Sequence, residues 1–148
     1  MCNNNTDCKC ISDILKVINI LQKKASRHDE CEDICDRRTL GPTCFEEFNT
    51  RPVQLFLCCN NGNEPLIMPT TKGPITQTTC FSDVFRVEKV DDCCATFRVL
   101  KQKQKVDGGA DLNISCWEHF EPTCSFFTLD LKCVCIIRCL EDTFVDCL

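Results

Sequence analysis

Seventeen of the 148 residues are cysteine, well above the roughly 8 to 10% at which a short chain reads as a disulfide scaffold. Seventeen is odd, so a fully oxidised chain must keep one thiol free or bond it to another molecule. Disulfide-dense domains usually compensate for a small core, yet a chain of this length can bury a sizeable core unaided. The surplus sulfur therefore points to a second use, the joining of subunits. Met1 to Ala25 lacks the basic start, unbroken apolar run and small-residue cleavage site of a secretory leader. Either a leader has been removed or the chain is made in a cytosol and oxidised later.

Hydrophobic residues make up 43% and charged residues 26% of the chain, the balance of a folded globular protein. One domain is expected, since domains commonly run to about 100 to 150 residues. The net charge of -5 argues against nucleic acid as a partner, because phosphate binding rests on clustered Lys and Arg. The basic stretch from Lys101 to Lys105 runs into Asp107-Gly108-Gly109 and reads as a solvated strand end. No stretch approaches the ~20 apolar residues of a membrane-spanning helix, so no membrane insertion is expected.

Residues 1–10 are polar, carry Cys2, Cys8 and Cys10, and read as a flexible cysteine-bearing arm. Residues 11–148 are expected to form the single domain. Ile11, Ile14, Leu15, Ile18, Leu21 and Ala25 fall at helical spacing, which predicts an amphipathic helix over 11–25, capped by Ser12 or Asp7. Ile14, Leu15, Ile18 and Leu21 are its expected packing stripe. Residues 26–49 hold Cys31, Cys35 and Cys44 amid charge and read as a connector.

Residues 50–148 read as the β portion. A hairpin is expected from Val53–Cys59 through Asn60-Asn61-Gly62-Asn63 to Pro65–Met68. A second is expected from Val84–Val90 through Asp91-Asp92 to Ala95–Val99, with Phe85, Val87, Ala95, Phe97 and Val99 facing inward. Leu129, Leu131, Cys133, Cys135 and Ile137 alternate as one face of a long strand. The predicted fold class is α+β and cysteine-rich: an N-terminal helix followed by an antiparallel β-sandwich or barrel.

The sulfur falls into Cys8-Lys9-Cys10, Cys31 with Cys35, the adjacent pairs Cys58-Cys59 and Cys93-Cys94, and Cys133-Val134-Cys135 leading to Cys139. Adjacent strand residues point to opposite faces, so each adjacent pair suits one bond inside the domain and one outward. Cys2, Cys8, Cys10, Cys58, Cys93 and Cys147 are the candidates for bonds between subunits. Cys59, Cys80, Cys94, Cys133, Cys135 and Cys139 are the candidates for burial or bonds within the chain. A zinc site from Cys133, Cys135 and Cys139 with Cys8 and Cys10 is a weak alternative, because no Cys-x2-Cys occurs. No cofactor is expected. His28 and His119, the two histidines, read as structural residues, and nothing local assembles a nucleophile with a base.

Four stretches resemble the CotY/CotZ family of spore-coat and exosporium proteins, which includes ExsY. They are Cys10-Ile-Ser-Asp-Ile-Leu-Lys-Val-Ile-Asn-Ile-Leu-Gln22, Thr50-Arg-Pro52, Phe85-Arg-Val-Glu-Lys-Val-Asp-Asp-Cys-Cys-Ala-Thr-Phe-Arg-Val-Leu100 and Thr128-Leu-Asp-Leu-Lys-Cys-Val-Cys-Ile-Ile-Arg-Cys-Leu140. The resemblance implies a structural protein, not an enzyme, made in the mother-cell cytoplasm without a signal peptide. It further implies self-assembly on the spore surface, in coat crust or exosporium, as a ring-based, disulfide-cross-linked two-dimensional lattice. Its partners would be copies of itself and other coat or exosporium proteins. Competing readings from the residues alone are a secreted disulfide-rich binding module and a zinc-binding cysteine-rich protein.

Overall fold

The computed structural model describes residues 7–25, 48–60, 63–102, 120–145 and 148. Most of the expected connector, with Cys31, Cys35, Cys44 and His28, lies outside the described residues, as do Cys2, Cys116, His119 and Cys147.

Helix α1 spans Lys9–Ala25. The Asp7 carboxylate accepts from the Lys9 N–H at 3.0 Å, satisfying one of the donors a helix start leaves open. Lys23 and Lys24 occupy the last turn, where positive charge complements the helix dipole. Leu15 and Ile18 are fully buried, but Ile14 and Leu21 are 37% and 46% exposed. The inward face is instead Ser12, Leu15, Ile18 and Gln22, with Ile11 packed against the same core. Two polar residues replace two expected apolar ones because each satisfies a backbone carbonyl. Ser12 Oγ donates to the Asp92 carbonyl at 2.5 Å, and Gln22 Nε2 donates to the Val87 carbonyl at 2.8 Å.

Strands β1 (Val53–Leu57), β4 (Val84–Asp91), β5 (Cys94–Gln102), β6 (Phe120–Asp130) and β7 (Val134–Cys139) form one antiparallel sheet in the order β6-β5-β4-β1-β7. Strands β2 (Met68–Pro69) and β3 (Phe81–Ser82) pair separately. The β4–β5 hairpin forms as expected, with Asp91 opposite Cys94 and Asp92 at φ 49° in the turn, a left-handed conformation that Asp tolerates. The expected β1 hairpin does not form. Residues 65–68 reach β1 through a single bridge, Phe56 to Pro65, while β1 joins β4 and β7.

The expected long strand through Leu129 to Ile137 is broken by a 3₁₀ turn at Leu131–Cys133, where Asp130 accepts from the Lys132 N–H. Val134 is buried and Cys135 exposed, but a register shift opposite Phe56 and Leu57 restores the phase, and Ile137 packs against the core as expected. Asp130 and Val134 are four chain steps apart, at most about 14 Å. They end β6 and begin β7, the two edge strands of the sheet, and in a flat five-stranded sheet those edges lie about 19 Å apart. The sheet is therefore curled, and a single β1–β4 register pair, Val53 with Phe85, marks where it folds over. The expected order of an N-terminal helix followed by antiparallel strands is the one observed, and the sheet does not close into a barrel, since no ladder joins β6 to β7 among the described residues.

Phe85, Val87, Ala95, Phe97, Val99 and Leu131 are buried, and Leu129 and Ile137 pack against the same cluster partly exposed. Phe127 sits edge-on to Phe85 at 4.8 Å and stacks on Phe97 at 5.3 Å. The opposite face carries a second, smaller apolar cluster of Val84, Leu100, Phe120 and Val145 and, beside it, a polar group. Buried Arg86 bonds Thr50 Oγ1 at 2.9 Å and Glu88 at 2.8 Å, and Arg98 reaches the same Glu88 oxygen at 3.1 Å. A β-bulge between Val87 and Lys89 gives Glu88 its place beside both arginines.

Candidate cross-linking site

Two disulfides organise the described sulfur. Cys8 is bonded to Cys93, 85 residues away, and Cys58 to Cys135, 77 residues away, with Cα separations of 5.6 and 5.0 Å. In the chain-entropy account, closing loops this long stabilises the folded chain by about 4.5 kcal/mol per bond. Each bond joins a Cys-x-Cys motif to the first member of an adjacent pair. The first fastens the start of α1 to the β4–β5 turn; the second fastens the end of β1 to the start of β7.

This differs from the sequence expectation at particular residues. Cys8, Cys58 and Cys93 were candidates for joining subunits and are bonded within the chain. The arm begins its helix at Lys9, which draws Cys8 into the core at 7% exposure. Cys94, Cys80 and Cys139, assigned to burial or internal bonds, are exposed free thiols. The inversion at Cys93-Cys94 follows from the turn. Cys93 is the turn residue facing α1, and Cys94 opens β5 on the exposed side. Cys59 is likewise exposed beside bonded Cys58, and Cys133 is half-buried beside bonded Cys135. Cys10 is exposed on α1, and exposed Cys124, which the sequence did not single out, lies on edge strand β6.

A short segment of chain links the two bonds. The Leu131 N–H donates to the Cys93 carbonyl at 2.7 Å, and Cys135 is four residues beyond Leu131, at most about 14 Å along the chain. The 3₁₀ turn thus bridges the bonds and holds Cys133 between them. The zinc set drawn from the sequence loses Cys8 and Cys135 to these disulfides, and among the described residues no group of three His, Cys, Asp or Glu is placed to hold a metal. Nor is any described helix long and apolar enough to cross a membrane.

A sequence signal for these partners exists. The chain holds two Cys-x-Cys motifs and two adjacent pairs, and each disulfide takes one of each. What the arrangement does chemically is separate two kinds of sulfur. One kind is committed to fixing the fold, and the other is presented as thiol on the surface that the first kind makes rigid. A thiolate needs only access to a second sulfur and an acceptor for two electrons to form a new bond.

At the far end of the sheet the C-terminal segment is clamped without sulfur. Asn49 donates to the Val145 carbonyl at 2.9 Å and accepts from its N–H at 2.8 Å. Arg51 grips Asp142 through two bonds of 2.6 and 2.9 Å. The hydrogen bond to Arg51 holds the Asp142 carboxyl below its ordinary pKa.

Neither a curated protein nor a solved structure matches the chain. The sequence model of the spore coat protein Z family matches residues 1–142, spanning the helix, the curled sheet and both disulfides, and the chain belongs to that family.

Proposed function

We propose that this chain is a non-enzymatic structural protein of the bacterial spore's outer layer, in coat crust or exosporium. In this reading it is made in the mother-cell cytoplasm and self-assembles into a disulfide-cross-linked two-dimensional lattice with copies of itself, beside other coat proteins. The observation that carries the reading is the division of cysteines in a spore-coat family chain. Two bonds fix the fold, while Cys10, Cys80, Cys94, Cys124 and Cys139 remain as exposed thiols. A protein needing sulfur only for its own stability gains nothing from exposed thiols, which are ordinarily avoided.

The proposed subunit-joining sulfurs are Cys10, Cys94, Cys124 and Cys139, together with Cys2 and Cys147. Non-covalent contacts set the lattice and oxidation then locks it, because indiscriminate pairing of so many thiols would give amorphous aggregate. Each bond forms as two thiols on neighbouring copies lose two protons and two electrons to dioxygen or a small-molecule disulfide.

Electron microscopy of the purified protein tests the reading. Ordered sheets or shells, with ladders on non-reducing gels that collapse under reductant, are expected. Dispersed monomers under oxidising conditions would overturn it in favour of a disulfide-stabilised binding module.

A further inference from the structure

Helix α1 carries three sectors rather than two. One faces the sheet. A second, rich in Lys, faces solvent. Between them run Cys10, Ile14, Val17 and Leu21, at steps of four, three and four residues. This is the a/d spacing of a helix-pairing seam, and it lies open: Cys10 is exposed, and Ile14, Val17 and Leu21 are 37%, 57% and 46% exposed. The patch extends past the helix, since Phe48, 62% exposed, lines the same groove as Leu21. A contiguous apolar strip of this kind marks an interaction surface.

We infer that the seam pairs with the α1 seam of a second copy, antiparallel about a two-fold axis passing near Val17. Charge sets the direction in which a second copy fits. The first half of α1 and its cap are balanced, Asp7 and Asp13 against Lys9 and Lys16, and the last turn carries Lys23 and Lys24. Antiparallel pairing about Val17 brings Asp13 of one copy within about one helical turn of Lys24 of the other and opposes the helix dipoles favourably; parallel pairing would stack the lysine-bearing turns. A two-fold contact is self-complementary, so Val17 meets its own counterpart and the Leu21–Phe48 end meets the counterpart's Cys10–Ile14 end. The pairing rests on the self-assembly reading and gives it a first non-covalent contact, made before sulfur is oxidised.

Sedimentation velocity tests the pairing. The measurement uses Cys10→Ala protein, so that capping adds no bulk to the seam, with the remaining exposed thiols blocked by iodoacetamide and the internal disulfides intact. A dimer is expected. Val17→Glu should raise its dissociation constant at least about tenfold while leaving the circular dichroism unchanged. Asp13→Lys and Lys24→Asp should each weaken the dimer, and the two together should restore it. Unchanged sedimentation of Val17→Glu overturns the pairing. A fall in the melting temperature of a chain that is monomeric throughout also overturns it, and assigns the seam to cover by residues 26–47 of the same chain. Failure of the charge swap to rescue overturns the antiparallel arrangement. Sheets that survive Val17→Glu would sink this contact and leave the lattice reading standing; wild-type protein forming neither dimers nor sheets would sink both.

Discussion

Gln22 donates through Nε2 to the carbonyl of Val87 at 2.8 Å, across 65 residues of sequence and in the buried space where β4 has parted from β1. Its Oε1 accepts from the Arg51 N–H at 3.1 Å. One amide therefore fills, on both sides, the gap that the curl of the sheet opens in the backbone ladder. This is why a glutamine at 3% exposure stands among Leu15 and Ile18. Gln22→Leu keeps the volume and strands both backbone groups, at a cost of about 1 to 3 kcal/mol for each. Urea denaturation with the disulfides intact should show the loss, and a change below about 0.5 kcal/mol would mean that the helix does not bridge the strands.

The facing of α1 can be read from a matched pair of truncations. Leu15 has 0% exposure and Leu21 46%. Leu15→Ala should cost about 2 to 5 kcal/mol, whereas Leu21→Ala, compared in the thiol-capped Val17→Glu background that keeps the chain monomeric, should stay within about 0.5 kcal/mol. Equal losses would restore the symmetric stripe that the sequence suggests.

That stripe shows where the sequence was legible. The existence and extent of α1 follow from periodicity, and β4–β5 follows from alternation interrupted by Asp91-Asp92. In both, the signal lies within one element. The helix facing was misread because periodicity counts apolar residues, and Ser12 and Gln22 are buried for their hydrogen bonds. The inward facing of Leu129, Leu131 and Ile137 also follows from alternation, and Cys135 departs from it because a 3₁₀ turn and a register shift interrupt the run without a Gly or Pro to announce them. The motifs mark which cysteines take part in the disulfides, but which motif meets which pair across 85 and 77 residues depends on the curl of the sheet, which no local pattern encodes.

Adjacent cysteines should behave differently. Cys93→Ser opens the bond to Cys8 and should lower stability by about 2 to 5 kcal/mol. Cys94→Ser removes an exposed thiol and should leave unfolding within about 0.5 kcal/mol while thinning the ladders on non-reducing gels. The opposite ranking in thermal melts would show that Cys94, not Cys93, fastens the fold.

The Arg51–Asp142 clamp sets an acid limit. Arg51 holds the Asp142 carboxyl below its ordinary value, so the pair's contribution is full above the unfolded carboxylate pKa and is lost as pH falls through the lowered folded one. Both side chains are more than a third exposed, at 37% and 40%, which limits the contribution to under about 1 kcal/mol. Asp142→Asn should melt lower than wild type at neutral pH, and the two curves should converge in acid. Curves that stay parallel across that range would show that the clamp adds nothing.

In the proposed assembly the cysteines divide into bonds that fix each subunit and bonds that join subunits. Disulfide mapping by mass spectrometry tests it on sheets assembled from an equal mixture of unlabelled and 15N-labelled chains, digested without reduction. Cys8–Cys93 and Cys58–Cys135 should appear in peptides that are wholly light or wholly heavy, while bonds through Cys10, Cys94, Cys124 or Cys139 should include light–heavy hybrids. Hybrid Cys8–Cys93 or Cys58–Cys135 peptides, or ordered sheets with no hybrid disulfide at all, would contradict the division.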